Sequence, residues 1–242
     1  RERIDRHASA AMAGLDVERM LPAFILLDTL CRQYLQDATH GVKEAQIPLW
    51  HHKLVHAWFA SQTPSSPDDK GITPADVCAA HACTTAEVQL AESCGPQLAD
   101  ALSGSVAYQE LLFPGGSLEL ARPVYEDGVA ASFYNGCAVA AVEAVLSLLP
   151  GGSQIVAVEV GAGTGGTASS VLPVLKGSCK RYDFTDVSEV FLRQARVRFA
   201  DFPFLDYVLL NIDADPRLQG FALHQHDMLI STNCLHATPF MR

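Results

Sequence analysis

Residues 150–242 predict an α/β fold on a parallel sheet, with a wholly helical region over residues 1–149 before it. Three observations carry this. The first is a change of pattern near residue 150: strand-like runs are almost absent before it, and strands alternate with helices after it. The second is Ile155–Val160, a continuous run rich in β-branched residues, as a strand covered on both faces requires. The third is the glycine loop Gly161–Gly166 directly after that run, where a chain leaving a strand can turn sharply into a helix.

In the first region, apolar residues recur at helical spacing over 17–38 (Leu21, Phe24, Ile25, Leu27, Leu30, Leu35). Pro48 opens a second helix over 48–60, with Trp50, Leu54, Trp58 and Phe59. Residues 61–70 read as a polar, Pro-rich loop. Thr73 before Pro74 reads as an N-cap with proline in the first turn. Further helices are expected over 84–94 and 96–103, a turn at Pro114-Gly115-Gly116, and a long Ala- and Val-rich helix over 128–149, stopped by Pro150. Beyond residue 150, strands are expected over 155–160, 179–185, 207–212 and 228–232, with helices over 167–176 and 188–200. Neither an internal repeat nor a low-complexity tract is present.

Composition narrows the function. The chain has 242 residues, 49% hydrophobic and 18% charged, enough for a sizeable core. Its 17 basic and 27 acidic residues give a net charge of −10, against the clustered cations that nucleic acid requires. It lacks the roughly 18 uninterrupted apolar residues of a membrane span. The start, Arg1-Glu2-Arg3-Ile4-Asp5-Arg6, carries neither a signal core nor an initiator Met, so a piece of a longer polypeptide is expected. The seven cysteines form no CxxC pair, which points to reduced thiols and a cytoplasmic protein without a zinc site.

The glycine loop alone matches a dinucleotide fingerprint. Its neighbours favour another ligand. Glu159 precedes the first glycine, where a carboxylate would repel a pyrophosphate and attract an ammonium or a sulfonium. Asp186 ends the second strand about 20 residues after the loop, where an acid can accept from ribose hydroxyls. Asn211-Ile212-Asp213 ends the third strand, where polar groups could meet an adenine edge. All lie at the carboxyl ends of strands, the ligand edge of an open α/β sheet. The plainer reading makes Asp186 and Asp213 caps of the turns that follow them.

Three segments together resemble the methyltransferase domains of modular polyketide synthases: Glu159–Gly166, Tyr182–Ser188 and Asn233-Cys234-Leu235-His236-Ala237-Thr238. Upstream, Cys94-Gly95, Leu111–Ser117 and Phe133-Tyr134-Asn135 resemble the helical lid those domains carry, so the likeness spans residues 75–242. The resemblance implies a class I fold using S-adenosylmethionine (SAM). Glu159, Gly161, Ala162 and Gly163 would hold its methionine part, Asp186 its ribose, and Asn211, Ile212 and Asp213 its adenine side. Asn211 stands where the family usually has an aspartate, which keeps an acceptor but loses the charge. Tyr134 and Asn135 would roof the cofactor. Asn233 and His236 would face the transferred methyl, with His236 as the base that removes the α-proton of a β-ketoacyl thioester. The implied partners are an acyl carrier protein, bearing the substrate on its phosphopantetheine arm, and other synthase domains in a parent chain. A complete sheet of the class has seven strands; four are legible here, so a sheet truncated after its fourth strand is expected.

Alternatives from other classes stay open at this point: O-methylation of a β-hydroxyl in the same pocket, a non-catalytic methyltransferase-like domain, and a dinucleotide oxidoreductase. His52 and His56 share a helical face at a spacing some metal sites use, but without the glutamate of HExxH, and core or lid packing is the expected role. His224-Gln225-His226 is expected to be a surface turn at the amino end of the fourth strand.

Overall fold

The computed structural model describes residues 1–61 and 71–238. The loop expected over 61–70 therefore falls, apart from Ser61, outside the described residues. Packing divides the chain into two units: Gly14–Val129, and Arg1–Ala13 together with Ala130–Arg242. The packing boundary thus lies some way before the composition boundary at 149/150.

Helix α1 (Glu2–Ala13) belongs to the second of these units, and the sequence pattern did not mark it. The helical unit is organised by α2 (Val17–Gly41), whose first turn is capped by the Asp16 carboxylate accepting from the Arg19 N–H. Helix α3 (Trp50–Ala60) follows, then α4 (Pro74–Ala80), opened by a reciprocal capping box between Thr73 and Asp76. Helices α5 (Thr85–Cys94) and α6 (Leu98–Ser103) come next, the latter ended by Gly104 at φ 77°. Leu30, Val77 and Val88 form this unit's core, joining α2, α4 and α5. Helices α7 (Tyr108–Leu112) and α8 (Arg122–Glu126) escape the sequence reading because five residues are too short to display an apolar period.

In the other unit, α9 (Val129–Leu146) leads into β1 (Ile155–Val160), α10 (Gly166–Leu175), β2 (Cys179–Asp186), α11 (Glu189–Arg198), β3 (Leu205–Leu209) and β4 (Met228–Ser231). All strand pairs are parallel, and the order among the described residues is β3-β2-β1-β4. Chain order and spatial order disagree at β1, so the direction of winding reverses there, the point at which open α/β sheets take their ligands at the strands' carboxyl ends. The sheet packs Ala157, Tyr182 and Phe184 against Leu172 and Leu175 of α10 and Leu192 and Ala195 of α11.

By length and composition α9 could cross a membrane. Its Val142 instead packs in the sheet core with Ala138, Val139 and Leu146 beside it, which is why this helix belongs with the sheet.

The third strand is displaced from the expected 207–212. It ends at Leu209, and Asn211, Ile212 and Asp213 lie in the turn beyond it. The cause is local. The Asn211 side-chain oxygen accepts from the Asp213 N–H at 2.9 Å, and Gln219 both accepts from the Asn211 N–H and donates to its carbonyl, each at 2.8 Å. These bonds satisfy the backbone outside the sheet.

Candidate functional site

The site is built where β1 ends. Gly161, Gly163 and Gly165 have φ of 67°, 53° and 80°, a region that side chains make costly. Gly161 is required a second time by close approach, since a methyl there would overlap the thiol of Cys234. A side chain on Gly163 would meet open space, with only the Gly161 carbonyl within 4 Å. This glycine leaves room over the loop at the carboxyl edge of the sheet.

Three of the loop's amides turn inward. Ala162 donates to the Thr185 carbonyl at 2.9 Å, Gly163 to the Asp186 carboxylate at 3.0 Å, and Gly165 to the Ala162 carbonyl at 2.9 Å. A loop that cradles a pyrophosphate offers such groups to its ligand. These three amides are thus spent on the protein rather than on a pyrophosphate.

Asp186 ends β2 and is 6% exposed. Its second oxygen accepts from the Ser188 N–H at 2.8 Å, so it does cap the turn after β2, as the plainer reading required, while also gripping the glycine loop. Burial pushes its carboxyl up, and the N–H groups of Ser188 and Gly163 pull it back down. With the Ser188, Gly163 and Val187 N–H groups acting on it, the carboxylate still has acceptor capacity for a ligand hydroxyl.

Glu159 lies in β1, 2% exposed, with its carboxylate accepting from the Tyr182 hydroxyl at 2.8 Å. Burial pushes its carboxyl up to about 8, against the lowering effect of the Tyr182 bond, and nearby Asp186 pushes it further up. Without a cationic group beside it, burial thus favours the protonated form of this strand-end acid, which Tyr182 engages.

On α9, Asn135 is buried and its side-chain oxygen accepts from the Thr167 hydroxyl at 2.9 Å, tying α9 to the first turn of α10. Tyr134 beside it is 64% exposed and stands edge-on to Phe133. After β4, Asn233 takes a left-handed backbone (φ 54°), uncommon outside glycine, and Cys234 then packs on Gly161. His236 follows on a short 3₁₀ turn, exposed, on the segment that Cys234 anchors against the loop. Asn211 and Asp213 are exposed in the turn beyond β3, with the half-buried Ile212 between them.

The histidines differ from expectation in one case. His226 is no surface turn: its side chain is 14% exposed and its Nε2 lies 2.5 Å from the buried carboxylate of Asp183, which Arg181 approaches at 3.0 Å on its other side. A buried carboxylate needs such partners, and the chain entering β4 supplies one. His56 is held by the Val42 carbonyl at 2.8 Å. A recess of about 310 Å³ lies at the opposite, amino-terminal edge, lined by Val156, Lys180, Arg181, Phe204 and Gln225, away from the glycine loop.

Two groups of this site carried no legible sequence signal. Arg198 donates to the Thr164 carbonyl at 3.0 Å, and Phe199 packs under Gly165. Both lie at the end of α11, and nothing in their local spacing points back to the loop.

A parallel sheet of order 3-2-1-4, a glycine loop after β1 and an acid ending β2 together define the class I methyltransferase arrangement. Comparisons with known proteins agree. Residues 158–242 match the family model described as "Methyltransferase domain". The chain is 37% identical over 169 residues, 68% of its length, to the polyketide synthase ThaG of Burkholderia thailandensis, of which the match covers 3%. It superposes on the crystal structure of the CurJ carbon methyltransferase with a TM-score of 0.84 at 27% identity, covering 98% of this chain and 72% of that one. The fold is shared as well with the trans-methyltransferase CalH, solved as a complex with SAH (TM-score 0.63, 23% identity, 92% and 64% covered). The chain therefore carries a methyltransferase domain and is similar over most of its length to the carbon methyltransferase domains of polyketide synthases. It spans 3% to 8% of the length of the curated synthases it matches.

Proposed function

We propose that this domain binds SAM across the carboxyl ends of β1, β2 and β3. We further propose that it transfers the methyl group to the α-carbon of a β-ketoacyl thioester borne by an acyl carrier protein within a larger synthase. The observation that carries the reading is Asp186: a buried carboxylate at the end of β2 that shapes the glycine loop and keeps lone pairs for a ribose diol.

The residues present fit the cofactor. Gly163 opens space over the loop, three of the loop amides are engaged within the protein, and Asn211 to Asp213 place exposed polar groups just past β3. When bound, SAM supplies a methyl group activated on a sulfonium. The glycine loop would lie against its methionine part, Asp186 would accept from its ribose, and the 211–213 turn would flank its adenine. Asn135, fixed by Thr167, and exposed Tyr134 would form the roof. His236 would take the proton from the carbon between two carbonyls, and the left-handed Asn233 directs the chain so that His236 follows Cys234 beside the loop. Alignment of the resulting carbon nucleophile with the methyl would supply much of the rest of the rate. Two structural relatives support the reading: CurJ is a carbon methyltransferase, and CalH was solved as a complex with SAH.

Calorimetric titration with SAM and SAH, beside Asp186→Ala, tests the cofactor. Saturable binding lost on substitution is expected; equal binding by the variant would remove Asp186 from the site. The acceptor is tested with an acetoacetyl-loaded carrier protein and mass spectrometry of the product. Methyl on the α-carbon is expected, and methyl on oxygen would move the assignment to an O-methyltransferase.

A further inference from the structure

We propose that Arg198 is a positioning residue that locks the glycine loop in its cofactor-binding shape; the proposal rests on the SAM reading above. The Thr164–Gly165 peptide unit is held at both ends. Its N–H donates to the Ala162 carbonyl at 2.9 Å, and its carbonyl accepts from Nη1 of Arg198 at 3.0 Å. A peptide group is planar, so fixing its oxygen and its hydrogen fixes the rotation of the whole unit. That rotation sets the backbone of Gly163 on one side and the start of α10 on the other.

Arg198 is itself held in place. Its guanidinium lies over the Phe199 ring, 4.8 Å from the centroid. Phe199 is 4% exposed, and its ring fills the space where a side chain on Gly165 would point. Phe199 in turn packs near Phe184 of β2, at 6.1 Å between centroids. A continuous packed chain therefore runs from the strand that ends in Asp186 to the outer side of the glycine loop. Asp186 grips the loop at Gly163, Cys234 bounds it at Gly161, and the Arg198–Phe199 pair bounds it at Thr164 and Gly165. Only the last of these holds uses a side chain from a helix, and none of its atoms need touch the cofactor.

The test uses Arg198→Met, which keeps much of the stem over Phe199 but removes the donor, and Arg198→Lys, which keeps a charged donor. Two readouts are taken on the full 242-residue chain: SAM affinity by calorimetry, and hydrogen exchange of the Gly165 amide without cofactor. A hydrogen bond from a charged donor leads us to expect SAM binding about ten-fold weaker in Arg198→Met, with Arg198→Lys recovering most of the loss. The Gly165 amide should exchange several-fold faster in Arg198→Met, while the Phe184 amide in β2 is unchanged. A merely structural role would slow or speed both amides together and would not be rescued by lysine. Unchanged affinity and unchanged Gly165 exchange in Arg198→Met would overturn the proposal. Absence of SAM binding in the unmodified chain would overturn the cofactor reading instead, and the Gly165 exchange rate would still decide whether Arg198 locks the loop.

Discussion

Glu159 shows how far a tertiary environment can move one side chain from its ordinary chemistry. Its carboxyl is pushed from 4.5 to about 8, chiefly by burial. The unfolded chain loses this proton near pH 4.5, whereas the folded protein keeps it until about pH 8. Folding is therefore uncompromised by this group below pH 4.5, and its cost grows as pH rises through that window, by at most about 1.4 kcal/mol per pH unit. Glu159→Gln, which cannot ionise and keeps an acceptor for the Tyr182 hydroxyl, should match the unmodified chain in stability at pH 4 and exceed it at pH 8. Urea denaturation at the two pH values measures this, and a constant difference would mean the group is not protonated in the fold. The close approach at Gly161 sets a second expectation. Gly161→Ala should lose at least about 1–2 kcal/mol from the left-handed backbone alone, with a further loss from overlap with Cys234. Cys234→Gly should restore the overlap component and leave the backbone component, so the double variant falls between the parent and Gly161→Ala in thermal melts.

Between elements, one buried contact joins the helix before the sheet to the helix after the glycine loop. The Thr167 hydroxyl donates to the Asn135 side chain, and both residues are buried. Thr167→Val keeps the shape but removes the buried hydroxyl donor, so a loss of about 0.5–1.5 kcal/mol is expected. Adding Asn135→Leu to it should cost less than the sum of the two single changes, because the pair is then removed together. Chemical denaturation of the four proteins closes the cycle, and strict additivity would show the contact to be without weight. This scale also separates what local pattern records. The first two strands, α10 and α11 and the capped start at Thr73 follow from periodicity and turn chemistry, and they fold close to where the sequence places them. The third strand does not, because the Asn211–Gln219 bonds end it early. Short α7 and α8 show no period to read.

At the scale of the molecule, the parallel order β3-β2-β1-β4 places β1 and β2 inside and sets the strands' carboxyl ends along one edge. A ligand bound there stabilises the folded state by mass action. SAH at a hundred times its dissociation constant should add about 2.7 kcal/mol, read as a rise in melting temperature that Asp186→Ala abolishes. An equal rise in both proteins would place the ligand elsewhere. The same scale explains why the packing boundary parts from the composition boundary. The sequence of α9 reads as helical and so groups with the helices before it, yet its apolar face is used by the sheet.

By itself the amino-acid sequence determined the α/β half, the glycine loop, Asp186 at a strand end and the likeness to synthase methyltransferases. All of these are written in runs of a few residues, where strand period, positive-φ glycines and the spacing from strand to loop are local properties. Only the tertiary structure decided that the buried Glu159 carboxyl meets the Tyr182 hydroxyl, that His226 meets the buried carboxyl of Asp183, and that Arg198 bonds the loop from outside. Those pairs are 23, 43 and 34 residues apart in the chain. They form across strands and between a helix and a loop, and burial rather than sequence spacing sets their chemistry, so no local pattern could have announced them.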